Sequence, residues 1–222
     1  MKRAAISFSK LRNEIGLVGI EVFPKERMAV PRLAQQWKVQ DTEKMAAETY
    51  QLYEQFQWGD TYIEQESGDH LIMLLKEHYR MPIKVITTGK KVKDAKKIRR
   101  IKVMDKIEMT EFLRRLKLNG QLRFVRHATP GLKELENQIP YFTKHTTEAG
   151  SVDYYAPGEE PDNLVKALMV ACFSVRKLLQ GASTEFVGGP ITGMPPKRTL
   201  NGLRRDPEKE FLEAFPSAGG YF

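Results

Sequence analysis

The chain has 222 residues, of which 41% are hydrophobic, so it is long and apolar enough to bury a sizeable core. It contains no apolar run near the ~18 residues of a membrane-spanning helix, and the residues after Met1 lack the apolar core of a signal peptide, so secretion by that route is not expected. Its single cysteine, Cys172, excludes an internal disulfide and a cysteine-based zinc module, and is typical of a reducing compartment.

The net charge of +8 is concentrated in one segment. Between Lys84 and Lys106 the chain has ten basic residues against two acidic ones, Asp94 and Asp105, and the rest of the chain is balanced at 26 against 26. A basic stripe on a neutral body suits a polyanionic partner such as nucleic acid. A solvated surface loop without a ligand explains a charge run equally well.

The start of the chain has the alternating pattern of β-strands, interrupted by turn-prone residues at 10–14 and 24–27. Three consecutive strands indicate an antiparallel meander. Apolar residues at helical spacing then predict a helix over 41–56, with Asp41 at its N-terminus. The three predicted strands are 4–8, 15–23 and 28–39.

Further along, predicted strands alternate with helices, as in a parallel sheet. Pro161 precedes an apolar helix over 162–179 that we expect to be buried against the sheet. Residues 181–222 hold 7 Gly and 5 Pro and are predicted to form a tail, in which Asp206 can cap a short docking helix; residues 1–180 then form one domain. The other predicted elements are strands 61–65, 83–87 and 121–125 and helices 71–79 and 108–118.

Two acidic residues occupy positions at which α/β sheets form sites. Glu64 ends a predicted strand, and ligands of open sheets bind outside the carboxyl ends of strands. Asp162 opens the long apolar helix, where the helix dipole favours an anion. Two carboxylates brought together in this way can share hard divalent cations, which polarise a phosphodiester and activate water. Each residue also has a simpler interpretation, Glu64 as an exposed residue after a strand and Asp162 as an N-cap.

Four segments of the chain carry recognisable motifs. They are Tyr62-Ile63-Glu64 with Gly68, Thr88 followed by Lys-Lys-Ile-Arg-Arg-Ile at 96–101, Asn-Gly-Gln-Leu-Arg-Phe at 119–124 with the segment 132–142, and Asp-Asn-Leu-Val-Lys-Ala-Leu at 162–168. In this order they resemble the motifs of the C-terminal nuclease domain of the large terminase subunit of tailed bacteriophages. The resemblance spans about residues 3–179, and it is the order and spacing that make it specific.

The resemblance implies an RNase H-like mixed sheet, a three-strand antiparallel meander followed by parallel strands, flanked by helices. It implies a phage packaging nuclease that cuts concatemeric double-stranded DNA with Mg²⁺ or Mn²⁺, one or two ions. Glu64 and Asp162 would be the catalytic and metal-binding residues, and Lys97, Arg99 and Arg100 would contact DNA phosphates. Its partners would be the terminase ATPase domain, the small terminase subunit and the portal, in the cytoplasm of the host cell and without a membrane.

The chain departs from the family pattern at three positions. Ser7 stands where the first catalytic aspartate falls, Asn163 replaces the second acid of the helix motif, and Lys166 replaces its last acid. Two metal ions normally need three or four carboxylates, so Glu64 and Asp162 alone favour one weakly held ion. Other acids that can fill the gap are Glu66, Asp69, Glu159 and Glu160.

These departures leave a second function open, a catalytically degenerate module of the same fold that binds DNA or docks on the motor or portal. A third interpretation is an unrelated basic protein that binds nucleic acid. The chain also lacks the P-loop sequence GxxxxGK[ST], so it carries no motor ATPase of that type.

Overall fold

The structure is a computed structural model that describes residues 1–9, 13–38, 40–88, 102–125, 129–146, 152–157 and 161–180. The predicted phosphate contacts Lys97, Arg99 and Arg100 lie outside the described residues, as does the predicted tail at 181–222. Among the described residues, no helix has both the length and the apolar character needed to cross a membrane.

A six-stranded mixed sheet forms the centre of the fold, in the order β3-β2-β1-β4-β5-β6. β1 lies between its two halves, because it pairs antiparallel with β2 and parallel with β4. The parallel half continues from β4 through β5 to β6. The strands are β1 (Lys2–Ser9), β2 (Glu14–Phe23), β3 (Met28–Lys38), β4 (Thr61–Glu64), β5 (Ile83–Thr88) and β6 (Lys102–Met104).

Helices cover both faces of this sheet. On one face, α1 and α2 pack on a core that includes Ile6, Leu17 and Ile63, whose side chains alternate with those of the opposite face. On the other face, α5 packs on β1 and β2. The helices are α1 (Thr42–Phe56), α2 (Asp69–Met73, continued by a π-helical segment Leu74–His78), α3 (Lys106–Leu118), α4 (Pro130–Gln138), α5 (Asn163–Ser174) and α6 (Arg176–Gln180); β7 (Thr143–Thr146) and β8 (Val152–Tyr155) form a separate antiparallel ribbon.

The predicted meander and the alternation that follows it are confirmed, and with them the mixed sheet flanked by helices. The predicted strand 121–125 is wrong, since Leu122 makes only an isolated parallel bridge to Ala29. The N–H of Ala29 donates to the carbonyl of Gln121, and the next outward-facing position on β3 is Pro31, which has no N–H to continue the ladder. The predicted helix 162–179 is divided at Val175 into α5 and α6.

Candidate metal and catalytic site

Three side chains meet on one face of the sheet, near the carboxyl ends of three neighbouring parallel strands. Ser7 belongs to β1, Glu64 ends β4 and Thr88 ends β5. Because Ile6 pairs with Ile63 and points into the α1 and α2 core, the next residues, Ser7 and Glu64, point to the opposite face. Ser7 is fully buried and Glu64 is 5% exposed. The strand alternation therefore places a carboxylate and two hydroxyls together.

The carboxylate of Glu64 is bound by hydroxyl groups at both oxygens. The Ser7 hydroxyl donates to Oε2, and the Thr88 hydroxyl donates to Oε1 at 2.9 Å. A buried carboxylate needs such donors, because its transfer from water without partners is costly. Ser7 therefore stands beside the carboxylate of Glu64, at the position where the sequence resemblance implies a first acid.

Asp162 precedes α5 and is 6% exposed. It occupies the N-cap position, but its side chain makes no capping hydrogen bond. Its Oδ2 instead lies 2.9 Å from Nζ of Lys166, one turn into the helix. The interpretation of Asp162 as a simple N-cap therefore does not account for its carboxylate, which forms an ion pair.

The close approach of α5 to the sheet depends on Gly16. A Cβ at this position would lie 2.9 Å from the carbonyl carbon of Asn163 and 3.0 Å from the backbone nitrogen of Leu164. Gly16 is the register partner of Ser7 on the neighbouring strand. The start of α5, and with it Asp162, is thus held on the same face and at the same end of the sheet as Ser7 and Glu64.

A buried amide fixes the first turn of α5. The backbone N–H of Leu164 donates to Oδ1 of Asn163 at 2.9 Å and to Oε1 of Gln138, on α4, at 3.1 Å. Gln138 in turn donates to Oε1 of Gln36 on β3 at 3.1 Å. Asn163 stands where the family has a second acid, but here its oxygen serves the helix backbone.

A second ion pair joins β8 to α3. Asp153, on β8, lies 2.9 Å from Nζ of Lys106 on α3 and accepts the backbone N–H of Tyr154 at 2.8 Å. Burial alone raises the pKa of the Asp153 carboxyl, but its bond to Lys106 and the Tyr154 N–H more than offset that effect. The charges of Lys106 and Lys166 also lower this pKa, which ends below its ordinary value. Lys166 thus acts on two carboxylates.

Of the other acids that the sequence offered, only Asp69 has a described side chain. Asp69 is exposed at the start of α2. The side chain of Glu66 and residues Glu159 and Glu160 lie outside the described residues. Within the described ranges, no group of three or more His, Cys, Asp or Glu side chains is arranged to hold a metal ion.

Sequence reasoning passed over one buried acid, Glu14. It begins β2, is 8% exposed and accepts a 2.6 Å hydrogen bond from the Gln36 amide. Two positions from Gly16 on the same strand, it faces the α5 side of the sheet. The sequence signal for Glu14 is its spacing of two residues from Gly16, which places both on one face of β2. That face is recognised as part of the site only once α5 is seen to pack against Gly16.

Three aromatic residues, Trp58, Tyr154 and Tyr155, are of the kind that can stack on nucleic-acid bases, and the first two are enclosed by the protein. Trp58 is 3% exposed and its indole N–H donates to the Thr61 hydroxyl at 2.8 Å. Tyr154 is buried, and its hydroxyl donates to Glu111. Tyr155 is 41% exposed and stacks on His145 with ring centroids 3.9 Å apart.

No family model and no curated protein matches the sequence. Solved structures match the fold. The large terminase nuclease of the thermophilic phage G20c gives a TM-score of 0.56 at 14% identity, covering 78% of this chain and 81% of that one. This chain has the fold of a phage large terminase nuclease domain. Two other nuclease domains have the same fold. That of the Thermus phage P74-26 large terminase gives a TM-score of 0.53 at 13% identity, covering 78% of this chain and 78% of that one. That of the bacteriophage SPP1 large terminase with bound Mn gives a TM-score of 0.52 at 10% identity, covering 78% of this chain and 85% of that one.

The resemblance read from the sequence is therefore confirmed at the level of the terminase nuclease fold, and the RNase H-like architecture with it. Among these terminase nucleases, the G20c domain has been solved with magnesium and with cobalt. Divalent ions therefore bind to proteins of this fold, and the residues of the present chain can be compared with what such an ion needs.

The donors among the described residues suit one hard divalent ion better than two. Glu64, Asp162, Ser7 and Thr88 offer only oxygen atoms, the donors that Mg²⁺ and Mn²⁺ prefer. The Ser67 hydroxyl, three residues after Glu64, is buried and has no hydrogen-bond partner among the described residues, which leaves a further oxygen at this end of the sheet. The carboxylates of Glu64 and Asp162 and the ammonium that pairs with Asp162 carry a net charge of −1, too little to balance two ions.

Proposed function

We propose that this chain is a DNA-packaging nuclease domain that cuts double-stranded DNA by divalent-metal-assisted phosphodiester hydrolysis. The observation that supports this most directly is the convergence of Glu64 and the start of α5 at one end of a sheet with the terminase nuclease fold. In open α/β sheets, that end is where ligands bind.

Glu64 and Asp162 would hold the ion, and Mg²⁺ or Mn²⁺ would supply Lewis acidity at the scissile phosphate and a more acidic water. The chain's own groups orient the carboxylates. Ser7 and Thr88 hold both oxygens of Glu64, and Lys166 holds one oxygen of Asp162. These contacts restrict the rotamers of both acids before substrate arrives, which lowers the ordering cost at the reacting centre.

The substrate class follows from the charge pattern. The stripe between Lys84 and Lys106 contains Lys97, Arg99 and Arg100, whose charges suit phosphate contacts without sequence readout. We therefore propose low sequence preference and DNA binding that weakens with salt. The partners that accompany this function are a terminase ATPase domain, the small terminase subunit and the portal, in the host cytoplasm.

Cleavage of supercoiled plasmid with Mn²⁺ at low salt tests the proposal. Glu64→Gln and Asp162→Asn keep the side-chain shape and remove the charge, so both should lower the rate by at least about 100-fold. Glu136→Gln, an exposed acid on α4, is the matched control and should cleave normally.

Undiminished cleavage by Glu64→Gln would contradict the assignment of the site. A parent chain that does not cut, together with a Ser7→Asp variant that does, would show a terminase nuclease fold in which loss of the first acid abolished cleavage.

A further inference from the structure

Lys166 is a cation built into a site that otherwise consists of oxygen donors. Its Nζ lies 2.9 Å from Oδ2 of Asp162, with side chains that are 23% and 8% exposed. At that exposure the pair is sheltered from most of the solvent, so salt screens it less than a surface pair. The carboxylate on which a metal ion would depend already has a positive partner.

The surroundings hold Lys166 in this place. Asp162 makes no bond to the helix backbone that would compete for its carboxylate. On the other side, the charge of Lys166 acts on Asp153, which is bound to Lys106. The structure thus has two ion pairs, Asp162 with Lys166 and Asp153 with Lys106, and removing the Lys166 ammonium would leave the Asp162 carboxylate without its cation.

We propose that the Lys166 ammonium substitutes for part of the metal charge at this site, so that the site binds a single divalent ion weakly. Lys166 is a positioning residue in this role, since it acts through Asp162. The proposal rests on the proposed function, because it concerns the ion that Glu64 and Asp162 would hold. It assigns to this chain a metal affinity set by an internal lysine.

The size of the effect follows from the geometry. A divalent ion bound to the Asp162 carboxylate would lie about 5 Å from the ammonium, given metal–oxygen distances near 2.2 Å. Repulsion at that distance corresponds to roughly a tenfold loss of affinity even with a dielectric constant close to that of water. Removing the charge should therefore tighten binding by about tenfold or more.

Mn²⁺ titration of the whole chain without DNA, followed by calorimetry or by the EPR signal of free Mn²⁺, tests the proposal. Lys166→Met should bind Mn²⁺ about tenfold more tightly than the parent chain. Lys177→Met, an exposed lysine of α6, makes the same change in net charge and should stay within twofold. Lys166→Gln serves if the methionine variant does not fold, and Glu64→Gln should abolish the binding.

Two results overturn the proposal, and they are distinguishable. If Glu64→Gln abolishes Mn²⁺ binding but Lys166→Met leaves it within twofold of the parent, the metal site stands and Lys166 only stabilises the helix. If neither the parent nor Lys166→Met binds Mn²⁺, the proposed metal-dependent function fails as well.

Discussion

Replacing Ser7 by aspartate supplies the acid that the sequence resemblance implies at this position, and the structure allows its effect on stability to be calculated. Ser7 is fully buried and its hydroxyl is bound to the 5% exposed carboxylate of Glu64. An aspartate at this position puts a second carboxylate about 4 Å from the first. With an effective dielectric constant of 20, the repulsion is about 4 kcal/mol, and protonating one of the two carboxyls at neutral pH costs a similar amount.

The expected result is a variant whose stability depends on metal. In EDTA at pH 7, the free energy of unfolding of Ser7→Asp should be about 3 to 4 kcal/mol lower than that of Ser7→Asn, whose side chain has the same shape without the charge. Adding Mn²⁺ at about 100 times its dissociation constant should raise the free energy of unfolding of the aspartate variant by about 2.7 kcal/mol. Urea titration followed by tryptophan fluorescence measures both differences, with the buried Trp58 as one reporter.

The asparagine variant is the control for size, since both substitutions add the same number of heavy atoms to a buried position. A difference of less than about 1 kcal/mol between the free energies of unfolding of the two variants, in EDTA at neutral pH, would contradict this prediction. The side chain at position 7 would then not lie beside the Glu64 carboxylate.

Three further predictions concern the frame of the site. Gly16→Ala should destabilise the chain by about 1 to 3 kcal/mol in urea titration, because the new Cβ would lie 2.9 Å from the backbone of α5. The control is Gly19→Ala on the same strand. Its Cβ would have its nearest contact at 3.4 Å, so it should destabilise the chain by less than half as much. The Asp153 carboxyl is held below its ordinary pKa of 3.8 in the fold, so its ion pair stabilises the chain above about pH 4 and is lost as the pH falls through the lowered pKa. Lys106→Met should therefore reduce stability at pH 6 and have less effect at pH 3; an equal effect at both would contradict the ion pair. Burial raises the pKa of the Cys172 thiol to about 12, so iodoacetamide at pH 8 should label it only after denaturant is added, as mass spectrometry would show.

The sequence was sufficient to predict elements with a long, regular pattern and the carboxylates that end them. Period-two alternation identified β1, β2 and β4, and helical spacing identified α1. Glu64 was recognisable because it ends a predicted strand and is followed four residues later by Gly68, before the next helix. Asp162 was recognisable because a helix must begin after Pro161.

What the sequence missed depends on contacts between distant segments. The ribbon of β7 and β8 was not predicted, since its two short strands pair with each other and lie apart from the main sheet. The ion pair of Asp162 with Lys166 has the ordinary spacing of a helix surface, and only its low exposure distinguishes it. Glu14 became notable once Gly16 was seen against α5. In each case the missing information was tertiary.

The burial of α5 has a consequence for how the domain forms. Ten of its twelve residues are buried, and they cover β1 and β2, which were synthesised some 140 residues earlier. Contacts of such high sequence separation slow folding, and the apolar sheet face stays open until the ribosome has released residues up to Ser174. During translation the first three strands therefore expose a surface prone to aggregation, and the site is completed only in the last stage of folding.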